Sequence, residues 1–91
     1  MPFARSVMNS KNKRTLTKLF RRPVANDIRW QDIERMLVAM GAEVSEGRGS
    51  RIRVLLNGEV ATFHRPHPRP TTDKGAIVAL CEFLEQAGVR P

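Results

Sequence analysis

The pattern of apolar and polar positions predicts three amphipathic helices. In each one, apolar residues recur three and four positions apart and form a stripe, while polar residues cover the other face. The three segments are residues 10–20, 30–40 and about 73–87. Ser10 is the predicted N-cap of the first helix, and Thr71 or Thr72 that of the last. Gly41 and Gly88 are expected to end the second and third helices.

Between the second and third helices, the apolar period changes from that of a helix to that of a strand. The pattern predicts strands over residues 42–46, 50–56 and 59–64. Asn57-Gly58 joins the last two, and Asn-Gly between apolar runs is a strong hairpin signal, because a type I′ turn needs φ > 0 at both central residues. A two-residue loop places Ile52 opposite Phe63 and so predicts the register of the pair.

This register gives the hairpin two different faces. One face is apolar and is expected to join the core. On the other face Arg51 lies opposite His64, and Arg53 follows on the same side of the strand. Neither residues 50–56 nor residues 60–64 contain a carboxylate that could neutralise these cations. The arrangement suits contact with a phosphate backbone.

The predicted order of elements is α-β-β-β-α, preceded by a short basic helix. Three antiparallel strands with two helices on one face make an α+β fold. We expect residues 1–9 to be disordered, residues 10–25 to form a basic N-terminal helical segment and residues 26–91 to form the domain. The Pro-rich stretch 65–70 is predicted to be an extended loop, because proline donates no ladder hydrogen bond to a sheet.

The net charge of +7 is unevenly distributed along the 91 residues. Residues 1–26 carry seven Lys and Arg and no acid, whereas residues 27–91 carry nine charges of each sign. Within that neutral part, residues 48–74 hold six Lys and Arg and two His against two acids. A polyanion such as RNA would therefore meet one positive side of a balanced domain.

The basic N-terminal segment is open to three interpretations. It is an arm that binds RNA, an amphipathic helix on a membrane surface, or a helix that packs on the domain or on a partner. Its apolar stripe is small for membrane anchoring, so we favour packing together with RNA contact. The acid-free composition also resembles that of a mitochondrial transit peptide, but a cytoplasmic protein is the preferred interpretation.

Several other kinds of site are disfavoured. Cys81 is the one cysteine, which rules out an internal disulfide, and it falls on an apolar stripe where we expect a buried, inert thiol. His64 and His67 stand roughly 10 Å apart in extended chain and no Cys or carboxylate cluster joins them, so neither a metal site nor a cofactor is predicted. No stretch approaches the roughly 20 apolar residues of a membrane span.

Four short motifs stand in order along the chain: Asp32-Ile33, Gly49-Ser50, Pro66-His67-Pro68 and Ala87-Gly88-Val89. Together with the hairpin and its flanking helices, they resemble the HicA toxins, small ribonucleases of bacterial toxin–antitoxin pairs. The resemblance covers about residues 28–89. It implies a double-stranded-RNA-binding-domain-like fold, action on mRNA and a HicB-type antitoxin as partner.

The chain departs from that family at one position. Family members have Gly-Ser-His, with a histidine taken to be catalytic, and Arg51 stands in its place here. Arginine stays protonated at neutral pH and cannot shuttle a proton, but it binds phosphate and stabilises charge that develops when a 2′-hydroxyl attacks. Metal-free RNA cleavage generally needs a group that titrates near pH 7. His64 is the candidate, so His64 and Arg51 are the predicted catalytic residues.

The predicted RNA contacts follow the hairpin, the Pro-rich loop and the start of the last helix. They are Arg48, Ser50, Arg51, Arg53, His64, Arg65, His67, Arg69 and Lys74. Trp30 is expected to cover the core, with base stacking as the alternative. Three functions remain open: a toxin that cleaves mRNA or blocks translation by binding it, a non-catalytic RNA-binding module that has lost the family histidine, and a protein-interaction subunit whose hairpin edge pairs with a partner strand.

Overall fold

Residues 8–91, the part of the chain that the computed structural model describes, form three helices and one three-stranded sheet. The helices are α1 (Ser10–Phe20), α2 (Trp30–Ala39) and α3 (Lys74–Gln86), and the strands are β1 (Glu43–Glu46), β2 (Arg51–Leu56) and β3 (Glu59–His64). After α1 the order is α-β-β-β-α, which confirms the predicted α+β fold. Residues 1–7, most of the segment predicted to be disordered, lie outside the described residues.

The sheet is antiparallel with the order β1-β2-β3, and the predicted register of the hairpin is confirmed. Ile52 pairs with Phe63 and Arg51 with His64. The turn has φ of 51° at Asn57 and 83° at Gly58, as a type I′ turn requires. The Asn57 side chain also donates a 2.8 Å hydrogen bond to the carbonyl of Ala87, which ties the hairpin turn to the end of α3.

The core lies between one face of the sheet and the two helices α2 and α3. α2 packs against β1 and α3 against β3. Side chains of both layers are completely buried: Ile52 and Val54 from the sheet, and Ile33, Met36, Leu37, Ile77, Leu80 and Leu84 from the helices. Trp30 is buried here as well, with its ring centroid 6.1 Å from that of Phe63. The expectation that Trp30 covers the core is confirmed, and its burial leaves no face free for base stacking.

α1 adds a third layer on the far side of the helices. Within the described part of the chain it contacts α2 and α3 and no strand. Leu16 and Leu19 are buried in this contact, and the Cys81 thiol donates to the Leu19 carbonyl at 3.2 Å. Burial raises the pKa of the Cys81 thiol, which agrees with the inert thiol predicted from the sequence. The predicted packing of the N-terminal segment on the domain is therefore observed.

Two predicted N-caps are wrong by one or two residues. Asn9, not Ser10, caps α1, because its side-chain oxygen accepts a 2.9 Å hydrogen bond from the Asn12 N–H. Asp73 caps α3 by accepting from the Ala76 N–H at 2.7 Å. Asn, Asp, Ser and Thr are all good N-caps, so composition alone does not choose between neighbouring candidates.

The Pro-rich loop returns to the start of α2 and pairs with it over one bridge. The Trp30 N–H donates to Pro70 at 3.0 Å, and the Thr72 N–H donates to Ile28 at 2.8 Å. This short pairing joins the beginnings of α2 and α3. It satisfies backbone groups in a stretch where proline removes several donors.

Replacing Asn57 should destabilise the fold in two separable ways. Asn57→Ala removes the bond to Ala87 and places an alanine at positive φ, so we expect the free energy of unfolding to fall by about 1–2 kcal/mol. Asn57→Gly removes the same bond and keeps the positive φ without strain, so the fall should be roughly half as large. Urea unfolding measures both values. An equal loss in the two variants would contradict a contribution from the turn conformation.

Candidate nucleic-acid interface

The exposed face of the β2–β3 hairpin carries Arg51, Arg53 and His64, as predicted. All three side chains are exposed, and Arg51 is the direct partner of His64 across the ladder. Directly opposed residues have their Cβ atoms about 5 Å apart, and two residues along a strand are separated by roughly 6.6 Å. An imidazole and two guanidiniums thus share one small open surface, which we call the hairpin patch.

The loop from Gly47 to Ser50 brings further polar groups to the same end of the sheet. The Gly47 N–H donates to Arg51 at 2.9 Å, and the Arg51 N–H donates to Arg48 at 3.1 Å, so the loop is closed over the start of β2. A Cβ at Gly47 would lie 3.2 Å from the Arg51 Cβ, which is tighter than ordinary contact. Arg48 and Ser50 are exposed beside the hairpin patch.

The first strand places one carboxylate on the exposed face of the sheet. Ser45 pairs with Arg53 and Glu43 with Leu55, so Glu43 lies diagonally from Arg53. Among residues 8–91, Glu43 forms no ion pair. Toward the turn the same face becomes apolar, with Val60 49% exposed.

Arg65 has a different environment from its neighbour His64. Its guanidinium binds the Glu34 carboxylate through two nitrogens, at 2.7 and 3.2 Å, and Glu46 through a third at 2.8 Å. Trp30 also donates its indole N–H to Glu34. Arg65 was predicted to bind RNA, and that contact stays a prediction. Each of its three guanidinium nitrogens donates to a carboxylate within the protein, and these bonds link the end of β3 to α2 and β1.

The contacts of Arg65 shift the pKa of Glu46 and that of Arg65 itself. The hydrogen bond from Arg65, together with its positive charge, holds the pKa of Glu46 below the usual range. The bonds to Glu46 and Glu34 hold the pKa of Arg65 above its usual range. Glu34 and Glu46 were not among the predicted site residues. Because 31 and 19 residues separate them from Arg65, no local pattern in the sequence indicates the cluster.

His67 and Arg69 are exposed, but they line a groove that is separate from the hairpin patch. This groove, of about 400 Å³, is lined by the Pro-rich loop, Asn26 and the start of α3. Lys74 is exposed as the first residue of α3, where a helix N-terminus would favour a phosphate. The carboxylate of Asp73 already caps that terminus, so a second anion there would meet a negative charge.

Two further findings concern the whole described part of the chain. Among residues 8–91, no three His, Cys, Asp or Glu side chains are grouped so that they could hold a metal ion. None of the helices in this part of the chain combines the length and the apolar character needed to cross a membrane.

The fold and the hairpin patch define a small α+β domain with a cationic open sheet face. A sequence-family model described as "HicA toxin of bacterial toxin-antitoxin" matches residues 30–89, about two thirds of the chain. The chain therefore belongs to the HicA toxin family, and as a toxin of a toxin–antitoxin system it has an antitoxin as its implied partner. Searches of curated proteins and of solved structures gave no significant match. The matched region begins at Trp30, so α1 lies outside it.

Acidification should remove part of the stability that the Arg65 contacts supply. Because the pKa of Glu46 is lowered in the folded chain, this contribution is fully present above the ordinary carboxyl range and is lost as the pH falls through the lowered value. Glu46→Gln should therefore lose less unfolding free energy than the unmodified chain between about pH 7 and about pH 3. Urea unfolding at the two pH values measures the difference.

Glu43→Gln is the matched control for this measurement. Glu43 lies on the same strand as Glu46, is exposed and forms no ion pair among residues 8–91. The acid-induced loss should match that of the unmodified chain. If Glu43→Gln and Glu46→Gln behave alike, the pairing with Arg65 does not contribute to the pH dependence.

Proposed function

We propose that this chain is an RNA-directed toxin that cleaves mRNA at the hairpin patch, acts in the cytoplasm and is neutralised by a HicB-type antitoxin. The pairing of Arg51 with His64 on an exposed sheet face is the observation that supports it most directly. Family membership supports the toxin class, and the α-β-β-β-α order agrees with the double-stranded-RNA-binding-domain-like fold that the resemblance implies.

The proposed chemistry divides the work between the two residues. His64 accepts the proton of the 2′-hydroxyl as its oxygen attacks the adjacent phosphorus, and the bond from phosphorus to the 5′-oxygen breaks. The departing 5′-oxygen is protonated from solvent, which leaves a 2′,3′-cyclic phosphate and a 5′-hydroxyl. Arg51 stabilises the negative charge that develops on the phosphoryl oxygens. Histidine suits the first role because it changes protonation between about pH 5 and 8.

RNA binding is proposed to involve fewer residues than the full predicted set. Arg48, Ser50 and Arg53 lie beside the two catalytic candidates, at one end of the sheet. His67, Arg69 and Lys74 would be reached only by RNA that continues past the Pro-rich loop toward α3. Arg65 is assigned a structural role, since its donors bind Glu34 and Glu46.

A HicB-type antitoxin is proposed to neutralise the toxin by covering the hairpin patch. The exposed sheet face offers a cationic end and, at Leu55 and Val60, an apolar end. A partner with acids toward Arg51 and Arg53 and apolar residues toward the turn would match both parts.

A second candidate function is a non-catalytic RNA-binding module. The observation that favours it is Arg51 itself, which stands where family members have the histidine taken to be catalytic. Such a module would bind mRNA through the same patch and block translation without cutting.

Loss of either catalytic candidate should abolish toxicity. His64→Ala is expected to reduce the cleavage rate by roughly 10²–10⁴-fold and Arg51→Ala by roughly 10²-fold. Induction in a bacterium, followed by growth measurement and mapping of new RNA 5′-ends, tests both. Arg90→Ala is the control, because Arg90 is also exposed but lies beyond α3.

Arg51→His separates the two candidate functions. It places a histidine at the family position, directly opposite His64. If the unmodified chain binds RNA without cutting it and Arg51→His cuts, the RNA-binding module is the correct function. If the unmodified chain cleaves RNA and His64→Ala does not, the result supports the RNA-cleaving toxin, in which His64 takes the catalytic role of the missing family histidine.

Phosphate contact at the hairpin patch should appear in the salt dependence of binding. For a 2′-O-methyl RNA, which cannot be cleaved through its 2′-oxygen, the slope of log K against log salt should become shallower by about 1.4 in Arg51→Gln/Arg53→Gln, since each phosphate contact on a single strand contributes about 0.7. Fluorescence anisotropy at several KCl concentrations gives the slope. An unchanged slope would favour the protein-interaction function over an RNA-binding one.

A further inference from the structure

The exposed face of α1 carries a second group of cations, in a helix that lies outside the matched family region. Arg14 and the C-cap residue Arg21 are exposed on the side opposite the buried Leu16 and Leu19, and Lys13 is exposed at the edge of this side, next to Leu16. With Thr17 and Lys18, they line a shallow groove of about 280 Å³. We call Lys13, Arg14, Thr17 and Arg21 the α1 ridge.

The cations of the ridge differ from those on the flank of the same helix. On the flank, Lys18 pairs with Asp27 at 3.2 Å and Lys11 with Asp32 at 3.8 Å. Among residues 8–91, no carboxylate lies within ion-pair distance of Lys13, Arg14 or Arg21. The fold therefore neutralises the flank and leaves the ridge positive.

At its N-terminal end, this placement of charge acts against helix stability. α1 has no acid in its first turn, where Lys11 and Lys13 lie close to the positive end of the helix dipole, whereas Lys18 and Arg21 lie near the negative end, which favours cations. Arg14 and Arg21, two turns apart on one face, and Lys13 beside them repel one another at low salt. A local arrangement that opposes stability is typical of a functional surface.

The chemistry of the ridge selects the kind of partner. Protein interfaces are built around apolar or aromatic anchors, and the large apolar side chains exposed among the described residues lie outside α1. Insertion into a membrane needs an apolar face, but Leu16 and Leu19 are buried against the domain. Lys, Arg and Thr without an apolar anchor are the residues that contact phosphates of a nucleic acid.

The position of the ridge separates it from the hairpin patch. α1 packs on α2 and α3, and the sheet packs on the other side of those helices with its cationic face pointing away from them. We infer that the α1 ridge is a second RNA-binding surface, which contacts the phosphate backbone without sequence preference. Its binding does not depend on the catalytic function proposed for the hairpin patch.

A pair of charge-matched variants tests the ridge. Arg14→Gln/Arg21→Gln removes two positive charges from the ridge, while Lys11→Gln/Arg35→Gln, the flank variant, removes two that pair with Asp32 and do not line the groove. Binding of the full chain to a fluorescein-labelled 2′-O-methyl RNA of about 20 nucleotides is followed by anisotropy over a series of KCl concentrations. The ridge variant should make the salt slope shallower by about 1.4 and weaken binding roughly 10- to 30-fold near 0.1 M salt. The flank variant should show less than half of either effect.

Two additional variants test whether the effect comes from the positive charge and whether it comes from a surface separate from the hairpin patch. Arg14→Lys/Arg21→Lys retains both charges and should keep the salt slope of the unmodified chain. Adding Arg14→Gln/Arg21→Gln to Arg51→Gln/Arg53→Gln should make the slope shallower by the same further amount, since the two surfaces are separate. Circular dichroism of each variant shows whether α1 is still helical.

The inference is overturned if the ridge and flank variants have the same salt slope, or if the ridge variant binds RNA as the unmodified chain does. Loss of sedimentation with phosphatidylserine vesicles, with RNA binding unchanged, would assign the ridge to a membrane surface instead. A further outcome separates the two proposals. If the unmodified chain does not cleave RNA, and neither do His64→Ala and Arg51→Ala, the catalytic proposal fails. If the ridge variant still loses RNA affinity in that case, the ridge proposal stands.

Discussion

The structure depends most on the register of the β2–β3 hairpin, which the two-residue turn at Asn57-Gly58 holds in place. Side chains alternate between the faces of a strand, so a slip by one residue would point Ile52 and Val54 toward solvent and Arg51 toward the core. The correct register buries the apolar set completely and exposes the cationic set. The hairpin register therefore determines both the sheet side of the core and the hairpin patch. The hydrogen bond from Asn57 to Ala87, at the end of α3, connects the hairpin turn to the helix layer.

Arg65 shows how neighbouring basic residues take different roles. His64 ends β3 on the exposed face, whereas Arg65 continues the chain toward the opposite side and meets carboxylates from α2 and β1. Its guanidinium matches a carboxylate through two parallel bonds, and three elements are joined where the Pro-rich loop begins. Because these groups are only partly buried, the cluster orients that end of the sheet more than it adds to overall stability.

The charge of the chain is organised in layers that composition does not show. The sheet presents one cationic surface and α1 presents another. Between them, α2 and the loop before it carry acids that pair with the flank of α1 and with Arg65. The family match covers the sheet and the helices packed on it, while α1 is outside the match and is held by the burial of Leu16 and Leu19. The net charge of +7 equals the seven Lys and Arg of residues 1–26, while the cations on the sheet face are balanced by acids elsewhere in residues 27–91.

The sequence by itself determined the elements, their order and the hairpin register, because helical and strand periods and the Asn-Gly turn are local signals. It also placed Arg51 opposite His64, since the register follows from loop length. Tertiary structure decided what distant residues do to one another: the engagement of Arg65 by Glu34 and Glu46, the pairing of β1 with β2 that places Glu43 diagonally from Arg53, and the side of the helices on which α1 packs. These depend on contacts between residues far apart in the chain, which no local period encodes. The choice of Asp73 rather than Thr72 as the cap was local, but it rested on a small difference between good capping residues.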